Sequence, residues 1–164
     1  WSSDVCSSDL DDEKDDYIDL DAAFEDQENG ICGAAENWKL FFIVGINNGT
    51  ITIQVELHQS EPSIDQSYEE VVEVPFHRGK SPVSLCEWGD RETHELKLPP
   101  ENYRVRYCID GMDKDYDDDG DWEAPVPGQR HLIQIWNCDL GKDKVIKHTS
   151  ETASYWHKAS GSWN

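Results

Sequence analysis

Residues 39–58 read Lys39-Leu-Phe-Phe-Ile-Val-Gly-Ile46, then Asn47-Asn48-Gly49, then Thr50-Ile-Thr-Ile-Gln-Val-Glu-Leu-His58. The first run is apolar almost throughout, as a strand buried on both faces requires. The Asn-Gly step supplies residues that accept positive φ, so it predicts a tight hairpin. In the second run Ile51, Ile53, Val55 and Leu57 alternate with Thr52, Gln54, Glu56 and His58. That period of two predicts a half-buried antiparallel strand.

The same pattern extends in both directions. Upstream, Tyr17 to Phe24 alternates loosely and predicts a first edge strand, and Asp26 to Gly30 a polar loop. Downstream, Glu69 to Phe76 reads as a strand in which Pro75 marks an edge or a bulge. Pro82 to Trp88 and Glu92 to Leu98 flank a Gly89-Asp90 turn. After a turn at Leu98-Pro99-Pro100-Glu101-Asn102, Tyr103, Val105, Tyr107 and Ile109 alternate with Arg104, Arg106 and Cys108. Arg130 to Asn137 returns as a strand. Thr149 to Ser160 predicts a helix, with Thr149 as its cap, Glu151 near its positive end and Lys158 near its negative end. Roughly eight short strands and no alternating helices predict an all-β antiparallel sandwich with a C-terminal α-helix, one domain over residues 17–160.

Composition narrows the function. The chain has 164 residues, with 35 Asp+Glu against 14 Lys+Arg and a formal net charge of -21. Such a chain repels nucleic acid and anionic membranes, so neither is an expected partner. Aromatics make up 10% of it, including 7 Trp, which predicts a packed core instead of an acidic disordered chain. No apolar run approaches the ~20 residues of a membrane span.

Trp1 to Leu10 (WSSDVCSSDL) back-translates in one frame to a common sequencing-adapter sequence. It is read as a non-native scar, expected to be unpacked. Asp11 to Asp16 (DDEKDD) is read as an acidic disordered tail, so residues 1–16 stand outside the expected domain. Without Asp4 and Asp9 the charge is still about -19. Cys32, Cys86, Cys108 and Cys138 then remain, none in CxxC spacing. They are expected to be free and mostly buried, in a cytoplasmic, reducing setting.

Few constellations carry chemistry. Asp115-Tyr-Asp-Asp-Asp-Gly-Asp121 matches the first half of a calcium loop, with Asp115, Asp117 and Asp119 as the ligating positions. The match then fails, because Val126 stands where the bidentate Glu belongs. A solvated acidic hairpin tip is therefore favoured over a weak calcium site, and no other cofactor is expected. His58, His77, His94, His131, His148 and His157 form no ligand spacing on one element; only His58 and His131 are candidates to meet across strands. No nucleophile elbow, P-loop or dinucleotide motif occurs, so no catalytic residue is assigned and the chain is expected not to be an enzyme. Trp122, ringed by carboxylates, is a candidate interface anchor. Trp88, Trp136 and Trp156 are expected in the core.

Ser67-Tyr-Glu-Glu-Val-Val-Glu-Val-Pro-Phe-His77, followed by Leu96-Lys-Leu-Pro-Pro-Glu-Asn-Tyr-Arg-Val-Arg106, resembles the competence protein J family. The resemblance lies in the order strand, VPFH, short hairpin, L-x-LP turn, strand. Gly30-Ile-Cys-Gly-Ala-Ala35, Tyr107-Cys-Ile-Asp-Gly-Met-Asp113, Leu132-Ile-Gln-Ile-Trp136, Thr149-Ser-Glu151 and Tyr155-Trp-His157 resemble uncharacterised bacterial relatives. The best-known activity of the family is inhibition of the DNA-entry nuclease. The resemblance thus implies a non-enzymatic inhibitor or immunity-type protein with a protein partner such as a nuclease or toxin. Charge implies that this partner is basic and meets Asp110, Asp113, Asp117, Asp118, Asp121, Trp122 and Glu123. The alternative is a calcium-dependent sandwich binding module using the 115–121 loop.

Overall fold

The computed structural model describes residues 2–7, 19–46, 49–87, 93–114 and 124–160, with the backbone alone for 2–7 and 87. Its strands are β1 (Ser2–Ser7), β2 (Cys32–Gly33), β3 (Lys39–Ile43), β4 (Ile53–His58), β5 (Glu70–His77), β6 (Val83–Glu87), β7 (Thr93–Leu96), β8 (Asn102–Asp110), β9 (Arg130–Asn137) and β10 (Lys144–Lys147). Two helices, α1 (Leu20–Ala23) and α2 (Glu151–Ser160), complete it. The strands form two five-stranded sheets, ordered β2-β3-β1-β6-β7 and β10-β5-β8-β9-β4. The expected all-β sandwich with a C-terminal helix is therefore observed.

One apolar core lies between the sheets. Leu40, Phe41, Phe42 and Leu85 from the first meet Val72, Val74, Val105, Tyr107, Ile133 and Ile135 from the second. Phe42 and Tyr107 cross the interface edge-to-face at 4.9 Å. The inward set on β8 is the Tyr103, Val105, Tyr107, Ile109 face that alternation predicts. The helix α2 closes on the core through Ala153, with Trp156 packed partly against it. Gly30 permits that docking, because a Cβ there would collide with the Trp156 carbonyl.

Several expectations are corrected. The β3–β4 connection is not a hairpin: β3 lies in the first sheet, and β4 pairs in parallel with β9 in the second. The chain arches between sheets there, because Ile46 and Ile51 pack against Val44 and Val126 at the sandwich end. Asn47 and Asn48 lie outside the described residues. Within Tyr17–Phe24, Leu20–Ala23 are helical, because Asp19 caps the turn by accepting from the Asp21 and Ala22 N–H groups. The cap of α2 is Ser150, whose Oγ accepts from the Ala153 N–H, and not Thr149. Pro75 stands beyond the end of β10, where β5 has only β8 beside it among the described residues, so the edge reading holds locally.

Ser2–Ser7 do not stand apart. They run between β3 and β6, antiparallel to both. The slot consists of two open ladders, which the backbone of any extended segment can complete without an apolar period. Hydrophobic patterning is blind to that kind of placement.

Candidate functional site

The candidate acidic surface grows from the end of β8. There Asp110 faces Arg130 across the ladder, and Arg130 donates to its Oδ2 at 2.8 and 3.1 Å. The Arg130 guanidinium also lies over the Tyr68 ring at 4.7 Å. Gly111, at φ 75°, turns the chain and donates to Glu69. Met112 is buried under the turn. Asp113 then accepts from the Glu151 N–H at 2.9 Å and the Thr152 N–H at 2.8 Å, at the start of α2. Desolvation works to raise this carboxyl, but those two N–H groups outweigh it and hold it below the usual carboxylate range.

The same helix end has a second carboxylate. Glu70 is completely buried, and its Oε1 accepts from the Thr149 and Ser150 N–H groups at 2.7 Å each. Negative charge at a helix N-terminus satisfies otherwise orphaned donors. Its Oε2 is buried with no hydrogen-bond partner among the described residues.

The returning stem is equally anchored. Lys114 Nζ donates to the Gly128 carbonyl, the Val126 N–H to the Thr50 carbonyl, and Gln129 to the Val44 carbonyl. Val126 is 2% exposed. The position that a calcium loop would need for its bidentate ligand is thus a core residue.

Of the predicted partner-binding residues, Asp110 and Asp113 are committed to the scaffold, one to an ion pair and one to a helix cap. Asp117, Asp118, Asp121, Trp122 and Glu123 lie outside the described residues, as do the metal candidates Asp115, Asp117 and Asp119. Among the described residues no group of three His, Cys, Asp or Glu side chains is placed to hold a metal ion. His58 and His131 stay apart, since β4 pairs Ile53, and not His58, with His131.

The histidines serve structure where they are buried. His131 Nδ1 stands 2.9 Å from Tyr107 Oη, and burial lowers its pKa to about 4. His157 Nδ1 accepts from the Gly30 N–H; burial first, then His148, lowers it to about 4 as well. Cys32, Cys86, Cys108 and Cys138 are free; the first three are buried as expected, whereas Cys138 is exposed. Burial pushes the Cys108 thiol up to about 12 and raises Cys32 strongly. Trp88 lies outside the described residues. Trp136 is buried, on the outer face of its sheet over Arg106.

Sequence reading missed that outer face. Arg106 is fully buried, and its guanidinium reaches Glu73, Gln134, Glu61 and the Pro62 carbonyl. Arg104 donates to Glu73 and to the Lys142 carbonyl. Beside this network Tyr68, Val71, Cys108 and Leu132 form a second small core with Ile64. Residues 59–68 therefore cover a face whose alternating charges signalled solvent.

No helix among the described residues is long and apolar enough to cross a membrane. No family model matches the chain, and no curated protein matches it. Among solved structures, it is similar to the crystal structure of ComJ, inhibitor of the DNA degrading activity of NucA, from Bacillus subtilis. The likeness has a TM-score of 0.51 at 20% identity and covers 84% of this chain and 88% of that one. What this chain shares with that inhibitor is its fold.

Proposed function

We propose that this chain is a non-enzymatic, immunity-type inhibitor that docks its acidic end on a basic protein, a DNA-degrading nuclease. The fold shared with a nuclease inhibitor supports the inhibitor role. The observation that carries the basic partner is the anchored acidic loop. Six carboxylates occur in the nine residues 115–123, between stems fixed by Met112, Lys114 and Val126. A fixed base limits the ordering entropy lost on docking. A chain of charge -21 steers a cationic partner and competes with its phosphate substrate. Free thiols support a reducing compartment, the bacterial cytoplasm.

The test is DNA degradation by purified basic nucleases from the source genome, beginning with any encoded beside this gene, with and without the protein. Stoichiometric inhibition that weakens with salt is expected. Replacing Asp115, Asp117 and Asp119 together by Asn should slow association and flatten the salt dependence, with folding unchanged. Failure to inhibit at tenfold molar excess, or an unaltered salt slope in the triple variant, refutes the reading.

A further inference from the structure

The two stretches that carry the competence-protein resemblance converge at the other end of the molecule. His77 pairs with Asn102, and the Arg78 N–H donates to the Glu101 carbonyl. The eight residues of β5 separate this end from the Asp110 end of β8, roughly 25 Å at strand rise. Between the stretches opens a cleft of about 360 Å³. Leu96 and Leu98 give it apolar wall, and Arg78, Lys80 and Lys97 line it against a single carboxylate, Glu95.

This cluster is unusual in so acidic a chain. Lys80 and Lys97 are exposed and have no hydrogen-bond or ion-pair partner among the described residues. Arg78 donates through one terminal nitrogen to the Gly79 carbonyl, and its Nε is buried without a hydrogen-bond partner among the described residues. Three cations held together in this way lower their mutual repulsion by taking up an anion. Beside the cleft stands Trp38, 42% exposed, with its indole against Gly79. Trp38 also has φ 66°, a left-handed conformation that a bulky residue rarely adopts. Strain of that kind collects at binding sites, and exposed Trp is favoured as an interface anchor.

We infer that this cleft is a second docking site, opposite the acidic end, for an acidic peptide tip of a protein partner: a carboxylate beside an apolar side chain. The carboxylate meets Lys80, Lys97 and Arg78. The apolar group lies on Leu96 and Leu98, and Trp38 forms the flanking wall. The small volume admits a chain end or loop tip and no extended interface. This inference does not depend on the acidic loop, and the molecule is bipolar in it, with one end for a basic surface and the other for an acidic segment.

The probe is a short peptide, Leu-Glu-Leu-Asp with a free C-terminus, added to the full chain while backbone amide shifts are followed. Saturable shifts confined to residues near 38, 78–82 and 95–99 are expected. They should weaken at least tenfold in the Lys80→Ala/Lys97→Ala variant, whose unchanged melting temperature shows intact folding. The amidated Leu-Gln-Leu-Asn peptide should produce none. Equal shifts from the neutral peptide, the same shifts from inorganic phosphate alone, or no saturation at millimolar peptide would each overturn the inference. The triple Asn variant of the acidic loop should bind the peptide normally, which separates this result from that of the proposed inhibitor function.

Discussion

Replacing Glu73 by Gln tests whether the covered outer face is held by charge. Glu73 accepts from Arg104 Nε at 3.1 Å and Arg106 Nε at 2.9 Å, with Arg106 Nη2 at 2.8 Å from the same carboxylate. The three side chains are 0–6% exposed, so solvent cannot replace what is lost. Gln keeps the shape and one acceptor, but its amide nitrogen confronts a guanidinium donor. One of two buried cations is then left without a counter-charge, which costs about 3–5 kcal/mol. For a chain of this size that lowers the melting temperature by roughly 10–15 °C. The control is Asp110→Asn, which breaks the more exposed Arg130 pair and should cost under about 1 kcal/mol. Urea titration of both variants, with Arg106→Met added to Glu73→Gln as a double-mutant cycle, measures the coupling directly. If Glu73→Gln lies within about 1 kcal/mol of the parent, the buried network is not what fixes residues 59–68 to this face.

Removing the helix-capping carboxylate by Asp113→Ala should cost about 1 kcal/mol, read in the same titration, without abolishing the fold. His131 is neutral in the fold, with a pKa near 4, and titrates near 6.5 when unfolded. Its contribution is full above pH 6.5 and is lost as pH falls toward 4, about 2–3 kcal/mol by pH 4.5. A His131→Gln variant showing the parent's pH slope over that range would contradict the assignment. Alkylation mapped by mass spectrometry should label Cys138 in the native protein before Cys32 or Cys108, whose thiols burial holds protonated. Calcium at millimolar concentration should raise the melting temperature by less than ~2 °C, because Val126 is a core residue. A rise above ~5 °C that the triple Asn variant loses would restore the calcium-module reading.

Strand identity was legible where a period of two ran long enough, and the inner face of β8 follows from it residue by residue. Pairing was not. The parallel β4–β9 ladder joins residues 53–58 to 131–136, and nothing local to either run encodes the other. The Asn-Gly signal misled because it specifies a reversal of direction and not the sheet that receives the chain. The four residues of β10 are too few to show a period. The burial of Arg104, Arg106 and Glu73 was not legible, because charge at alternate positions signals water unless another segment supplies counter-charges and carbonyls. At the acidic end the carboxylates were evident, but not the engagement of Asp110 and Asp113, which depends on Arg130 and on where α2 begins.

The placement of Ser2–Ser7 has a consequence for how this chain folds. Ser2 faces Ile43 and Ser3 faces Glu87, so both ladders of the segment join it to residues far away in sequence. Non-local pairing of that kind forms late, and the first sheet closes only when β3 and β6 are both in place beside it. Until then β3 carries an unsatisfied edge, open to pairing with a stray strand from another molecule.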